Sequence, residues 1–260
     1  TSFPQSLFMD DNGKIVHKSL GFVKAEDFLE VGKTAMNPDL RMSGMKDKAL
    51  SMKPEDFLSF AISSIQNGDR EYETIAREYL SKQTDILTNK ALLDVIMQTV
   101  DVLPSEKLLT DLINNKEKVA EVGAYPMAEL DVRLVSLSVA YANFHFKNAE
   151  TGAPDLVAIE AFLFKVIPQK AFFTSNYYAI EHYLRNNDKE NAFKRYESFL
   201  KEASTKTSFN ELCNMVIQFG SAFAEEDQLK KSFESVDNFP IKEPKNTDAF
   251  QKNLIRVLVY

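Results

Sequence analysis

The sequence predicts a mainly α protein: an N-terminal β-hairpin plus helix, followed by an array of antiparallel helical hairpins. Three observations carry this. Strand-like runs occur only within Thr1–Met36. From Pro38 onward, apolar residues recur at helical spacing. The helical segments are joined by short turns rich in Asn, Asp, Gly and Pro.

The first run is Ser6-Leu7-Phe8-Met9, preceded by Pro4. Asp10-Asp11-Asn12-Gly13-Lys14 follows, and Asn-Gly is a hairpin-turn signal because both residues tolerate positive φ. Ile15–Leu20 is the return strand, ended by Gly21. Ala25–Met36 reads as a helix, with Phe28, Leu29, Val31 and Gly32 near one face, and Asn37-Pro38-Asp39 stops it. Further helices are expected at Pro54–Gln66, Glu71–Ser81 and Asn89–Val102, and another opens at Pro104. Ala124-Tyr125-Pro126 is a break. Met127–Lys147 is the longest helix, with a seam of Leu130, Leu134, Leu137, Tyr141 and Phe144, and is expected to be central to the array. Asn148–Pro154 is a loop. Helices then read at Asp155–Val166, Pro168–Leu184, Lys189–Ala203, Ser208–Phe223, Glu225–Val236 and Asp248–Val259. Tyr178–Ala203 resembles a degenerate tetratricopeptide unit, with Tyr183, a polar turn at Asn186–Lys189, then Ala192, Tyr196 and Phe199. No second copy aligns well.

Composition narrows the function. The chain has 260 residues, 44% of them apolar, enough for a packed core. It has no Trp but 20 Phe and 9 Tyr, so Phe and aliphatics build that core. A net charge of −7 argues against a large nucleic-acid interface, which needs clustered Lys and Arg. No apolar run approaches the roughly 18–20 residues of a membrane span. A first residue other than Met points to processing or to a longer polypeptide. The single cysteine, Cys213, excludes an intrachain disulfide, a CxxC pair or a Cys-based zinc site. Its neighbours Leu212, Met215 and Val216 make it a core residue.

The remaining motifs are structural rather than chemical. Gly32-Lys33-Thr34 imitates the end of a phosphate-binding loop but lies inside a helix, and Asp27 stands where the loop's first glycine belongs. Asp10–Gly13 has the look of a calcium loop, yet that alignment puts Phe8 at the first ligand position and Ser19 where a bidentate Glu is needed. His17, His145 and His182 are dispersed; His17 is expected on a strand face and the other two at helix–helix boundaries. No metal site and no cofactor is expected. Glu225-Glu226-Asp227 places negative charge at a helix start. The stretch 161–183 is Phe- and Tyr-rich and reads as core. Its alternative is an aromatic groove around Phe173 and Tyr178.

The order proline, strand, Asn-Gly turn, strand, glycine, helix resembles the C-terminal half of a thioredoxin fold. The continuation FVKAEDFLEVGKTAMNPDLRMSGM is similar to bacterial thioredoxin-like proteins that run into a long helical extension. The resemblance implies two parts: residues 1–38 as the C-terminal half of a thioredoxin-like domain, and residues 39–260 as a TPR-like helical domain. It matches Pro4, with Phe3 before it, to the substrate-presenting cis-proline, and implies an exported, periplasmic location. The family's redox cysteines fall in the half this sequence does not contain, so the resemblance implies a thiol–disulfide oxidoreductase parent and no catalytic residue here. Gln5 stands where Thr is common in the family.

A two-stranded hairpin is marginal alone, and its first strand would present an unpaired edge. The hairpin therefore leans on the helices, pairs with another chain, or belongs to a longer polypeptide. A protein partner and a dimer through the hairpin edge are the expected partners. The function expected is a non-catalytic scaffold for protein partners. The alternatives are a self-contained helical-repeat module capped by the hairpin, and a hydrolase or binding protein with a pocket in 161–183.

Overall fold

The computed structural model describes residues 4–69, 71–149, 151–223 and 226–241. Among them it is mainly α with an N-terminal β-hairpin. The chain divides into two units, Thr1–Phe144 and His145–Tyr260.

In the first unit, β1 (Gln5–Met9) and β2 (Ile15–Leu20) pair antiparallel. Asp10 makes the turn. Its Oδ1 accepts from the Asn12 and Lys14 N–H groups at 3.0 and 2.9 Å, and Gly13, at φ +78°, is the one residue of the Asn-Gly pair with positive φ. The register shifts between Phe8, opposite His17, and Met9, opposite Ile15, so Val16 is the extra residue of a bulge.

Helix α1 (Ala25–Met36) has the expected bounds, but Ala35 alone is fully buried on it. Short α2 (Met42–Lys48) comes next and was not expected. α3 (Pro54–Gln66) starts with Pro at its first turn, where the missing N–H costs nothing. α4 (Tyr72–Ser81), α5 (Lys90–Thr99), α6 (Glu106–Asn114) and α7 (Lys116–Gly123) follow. The segment opened by Pro104 is two helices, because Asn115 leaves helical geometry between them (φ −116°, ψ 28°). The core of this unit gathers Phe57, Phe60, Tyr79, Leu93, Ile96 and Leu109. The Phe57 and Tyr79 rings stack at 3.8 Å, and the Tyr79 hydroxyl donates to Met52 O at 3.1 Å.

Helix α8 (Met127–His145) buries Leu130, Leu134, Leu137 and Tyr141 of its seam. Phe144 stays 47% exposed, with the Arg77 guanidinium 5.1 Å from its ring centre. Arg133 donates to Ile96 O and Val100 O at 2.9 and 2.5 Å, a cation on the C-terminal carbonyls of α5.

The second unit holds α9 (Leu156–Val166), α10 (Pro168–Arg185), α11 (Lys189–Lys206), α12 (Phe209–Phe219) and α13 (Glu226–Asp237). The loop before α9 carries an isolated bridge between Lys147 and Pro154. α10 and α11 form the expected helical hairpin, with Asn187 at φ +59° in the turn and Ala192, Tyr196 and Phe199 buried. A reciprocal capping box at Ser208 and Glu211 starts α12. The expected helix Asp248–Val259 and Glu225 of the acidic run lie outside the described residues.

Candidate functional site

Among the described residues the hairpin has one side packed on helices and one edge with no strand on it. Antiparallel strands alternate residues that bond inward with residues that point away. Gly21 N–H donates to Pro4 O at 2.8 Å, and Asp10 N–H to Lys14 O at 2.9 Å. That phase turns Pro4, Ser6 and Phe8 towards β2. It leaves the N–H and C=O of Gln5, Leu7 and Met9 on the outer edge. β2 is the one strand paired with β1 among the described residues.

Three exposed side chains around this edge are apolar. Leu7 is 44%, Met9 56% and Ile15 45% exposed, and Met9 and Ile15 pair across the hairpin on one face. On the other face Phe8 lies 5.9 Å from both His17 and Phe28, the latter on α1. Beyond Phe28, α1 leaves Leu29 and Met36 uncovered, two turns apart on one flank. Isolated exposed apolar residues are ordinary; here several fall within one hairpin and its following helix.

The closed side is β2. His17 Nδ1 accepts the Met42 N–H at 3.3 Å, at the start of α2. Lys18 Nζ donates to Gly68 O at 3.1 Å, in the turn between α3 and α4. Gly68 has φ +64° and lies so close to Leu20 that a Cβ there would meet Leu20 Cδ1 at 2.6 Å. Lys46 of α2 is held in the same region. Its Nζ stands 2.6 Å from Asp69 Oδ2 and donates to Glu71 Oε2 at 2.6 Å. Asp69 is buried; Glu71 is exposed.

This cation–carboxylate group was not foreseen. Ser43 and Lys46 also have the Ser-x-x-Lys spacing of some acyl-transfer sites, where a neutral lysine serves as base. Burial pulls the Lys46 pKa down, but the hydrogen bonds and charges of Asp69 and Glu71 outweigh it and leave the pKa raised. Lys46 is thus a fixed ammonium, suited to holding Asp69 rather than to taking a proton. His17 behaves oppositely: burial lowers its pKa, and the ring is neutral with its proton on Nε2.

The other expected residues are dispersed. Pro4 is exposed at the end of the ladder, and Phe3 lies outside the described residues. Phe173 packs against the core of the second unit, 6.4 Å from Phe199 and 5.8 Å from Tyr177. Tyr178 is five positions further along α10, about 140° around the helix. Burial, then the charge of Glu181, raises the Tyr178 phenol. His145 is exposed, and the half-buried His182 stands beside Asn186 Nδ2 at 3.3 Å. Cys213 is fully buried on α12. Lys33 lies within α1, as the helical reading of Gly32-Lys33-Thr34 requires. Among the described residues no group of three or more His, Cys, Asp or Glu could hold a metal ion, and no helix is long and apolar enough to cross a membrane. A cavity of about 510 Å³ in the first unit lies between Leu80, Ile86, Pro104 and Leu108, with Asp85, Lys107 and Asp111 on its rim. Lys107 is already paired with Asp111 at 2.5 Å.

Comparison with protein-family models finds no match, and none is found among curated proteins or solved structures.

Proposed function

We propose that this chain is a non-catalytic protein-interaction module that takes up an extended strand along β1, with the helices as its scaffold. One observation carries the reading: the outward main chain of Gln5, Leu7 and Met9 is flanked by exposed Leu7, Met9 and Ile15. Added strands gain main-chain hydrogen bonds for affinity and use alternate side-chain pockets for specificity. In the thioredoxin-like form of this proposal the incoming strand belongs to the redox half of an exported thiol–disulfide oxidoreductase, and Pro4 with Phe3 keeps a substrate-presenting place. A second copy of the chain is another source of that strand.

A second reading has its own support. β2 is tied to α2 and to the α3–α4 turn through His17, Lys18 and Leu20, which favours a hairpin that caps a self-contained helical array. The two readings meet in one arrangement, in which β2 closes the array and β1 stays available.

Selection of short random peptides displayed on phage against the full chain tests the proposal. The expected binders alternate apolar and polar residues and lose at least about tenfold in affinity, roughly 1.4 kcal/mol, on Leu7→Pro. That proline removes an outward N–H and spares the ladder to β2. Val132→Lys, on an exposed position of α8, leaves binding unchanged. Binders indifferent to Leu7→Pro, or no binders at all, overturn the proposal.

A further inference from the structure

The strand that fits the open edge best is β1 of a second copy of this chain. This inference rests on the strand-addition reading above. The groups that need partners are the N–H and C=O of Gln5, Leu7 and Met9. In an antiparallel pair centred on Leu7, Leu7 faces Leu7 of the copy, and Gln5 faces Met9. Each facing pair exchanges both of its hydrogen bonds, so every outward donor and acceptor is satisfied. A register displaced by two residues leaves one residue of each strand unpaired. A register displaced by one sets outward groups against groups already used by β2.

The side chains obey the same symmetry. Gln5-Ser6-Leu7-Phe8-Met9 has no charge, so no like charges face one another. Natural edge strands are commonly guarded by Lys, Pro or a charge. Here Pro4 and Asp10 stand just outside the paired length and leave it uninterrupted. On one face the exposed Leu7 meets Leu7 of the copy, while Met9, with Ile15 behind it, faces Gln5 of the copy and lies diagonal to its Leu7. The two-fold axis of such a pair is perpendicular to the sheet, so α1 and its copy lie on the same side of a four-stranded sheet. α1 is the helix that exposes Leu29 at 67% and Met36 at 77%. We infer that two copies associate through β1 in this register, an isologous interface of the kind most homodimers use.

Sedimentation of the full chain over a wide concentration range, with three variants, decides it. The parent is expected to pass from monomer to dimer as concentration rises. Leu7→Lys and Leu7→Glu each set like charges face to face, so each sediments as a monomer where the parent is a dimer. Mixed together they recover a dimer mass. Leu7→Cys carries the test even if a charged variant fails to fold. Facing Cα atoms about 5.5 Å apart fall within the disulfide range, so air oxidation gives a cross-linked dimer. Gln5→Cys, facing Met9, cross-links far more slowly, and the buried Cys213 does not contribute. A chain monomeric throughout, or a dimer indifferent to charge at Leu7, overturns the inference. If the chain is monomeric while displayed peptides still respond to Leu7→Pro, the second copy is rejected and strand addition stands. If the peptides are also indifferent, both fall.

Discussion

His17 and Met42 join the hairpin to the helices: the Met42 N–H, at the first residue of α2, donates to His17 Nδ1 at 3.3 Å. The bond exists only while His17 is neutral, because the imidazolium has no acceptor. Burial holds its pKa below the ordinary 6.5. The unfolded chain therefore binds more protons than the folded one between the two pKa values, and stability falls as pH falls through that interval. The contribution is complete above pH 6.5 and declines below it, towards the lowered pKa of the folded state. Urea denaturation of the parent and of His17→Gln between pH 8 and pH 5 checks this. The parent is expected to lose stability relative to the variant on acidification; parallel curves refute it.

Lys46 and Asp69 supply the second tie. Asp69 is buried and its Oδ2 is 2.6 Å from the Lys46 ammonium. Removing one member of a buried ion pair strands the other, at a cost of about 3–5 kcal/mol. Lys46→Met is expected to destabilise the first unit by roughly that amount, and Asp69→Asn in the same background to restore part of it. Glu71 is 80% exposed, so Glu71→Gln changes stability by about 0.5 kcal/mol or less. Equal effects at Asp69 and Glu71 remove the distinction.

These ties mark the limit of what the sequence discloses. β2, α1 and α3 are legible to their end residues, because alternation, helical spacing and Pro or Asn-Gly signals agree there. α2 is not legible: it is seven residues long with glycine inside it. Gly44 is there because a Cβ would stand 1.7 Å from Pro38 O, a packing constraint that local propensity does not reveal. The outer edge of β1 is legible because the sequence reads no third strand to lie beside it. What closes β2 is not, since His17–Met42 and Lys18–Gly68 are 25 and 50 residues apart and neither pair has a spacing signature. Phe173 and Tyr178 are close in sequence, yet the helix sets them about 140° apart, a separation that aromatic composition alone does not show.

Gly68 tests how tightly the α3–α4 turn seats on the hairpin. Its φ of +64° disfavours any side chain, and Leu20 Cδ1 occupies the space a Cβ needs. Gly68→Ala is expected to cost about 1–2 kcal/mol from the backbone conformation, with a further cost from Leu20. Leu20→Ala in the double variant relieves the second part and leaves the first. A double-mutant cycle in urea separates them, and strict additivity removes Leu20 from the account.

In the second unit the Tyr196 hydroxyl lies 2.9 Å from Ser232 Oγ, and both side chains are buried. Tyr196→Phe removes that hydrogen bond, a loss of about 1 kcal/mol. A double-mutant cycle with Ser232→Ala is expected to show a coupling of about 0.5–1.5 kcal/mol between the two positions. Strict additivity refutes the pairing.

Cys213 bears on the absence of dithiol chemistry. Its thiol is fully buried on α12, and the sequence contains no second cysteine. A disulfide reductase of the thioredoxin type needs an attacking thiolate and a resolving thiol. The chain is therefore expected not to accelerate insulin reduction by dithiothreitol. Its one thiol is expected to react with an aromatic disulfide reagent only as the second unit opens, so the rate rises steeply with urea and follows local unfolding. Cys213→Ala abolishes the thiol signal and leaves the insulin assay at background. Acceleration of insulin reduction by the parent, or rapid labelling of Cys213 in the absence of urea, contradicts a non-catalytic chain with a packed core thiol.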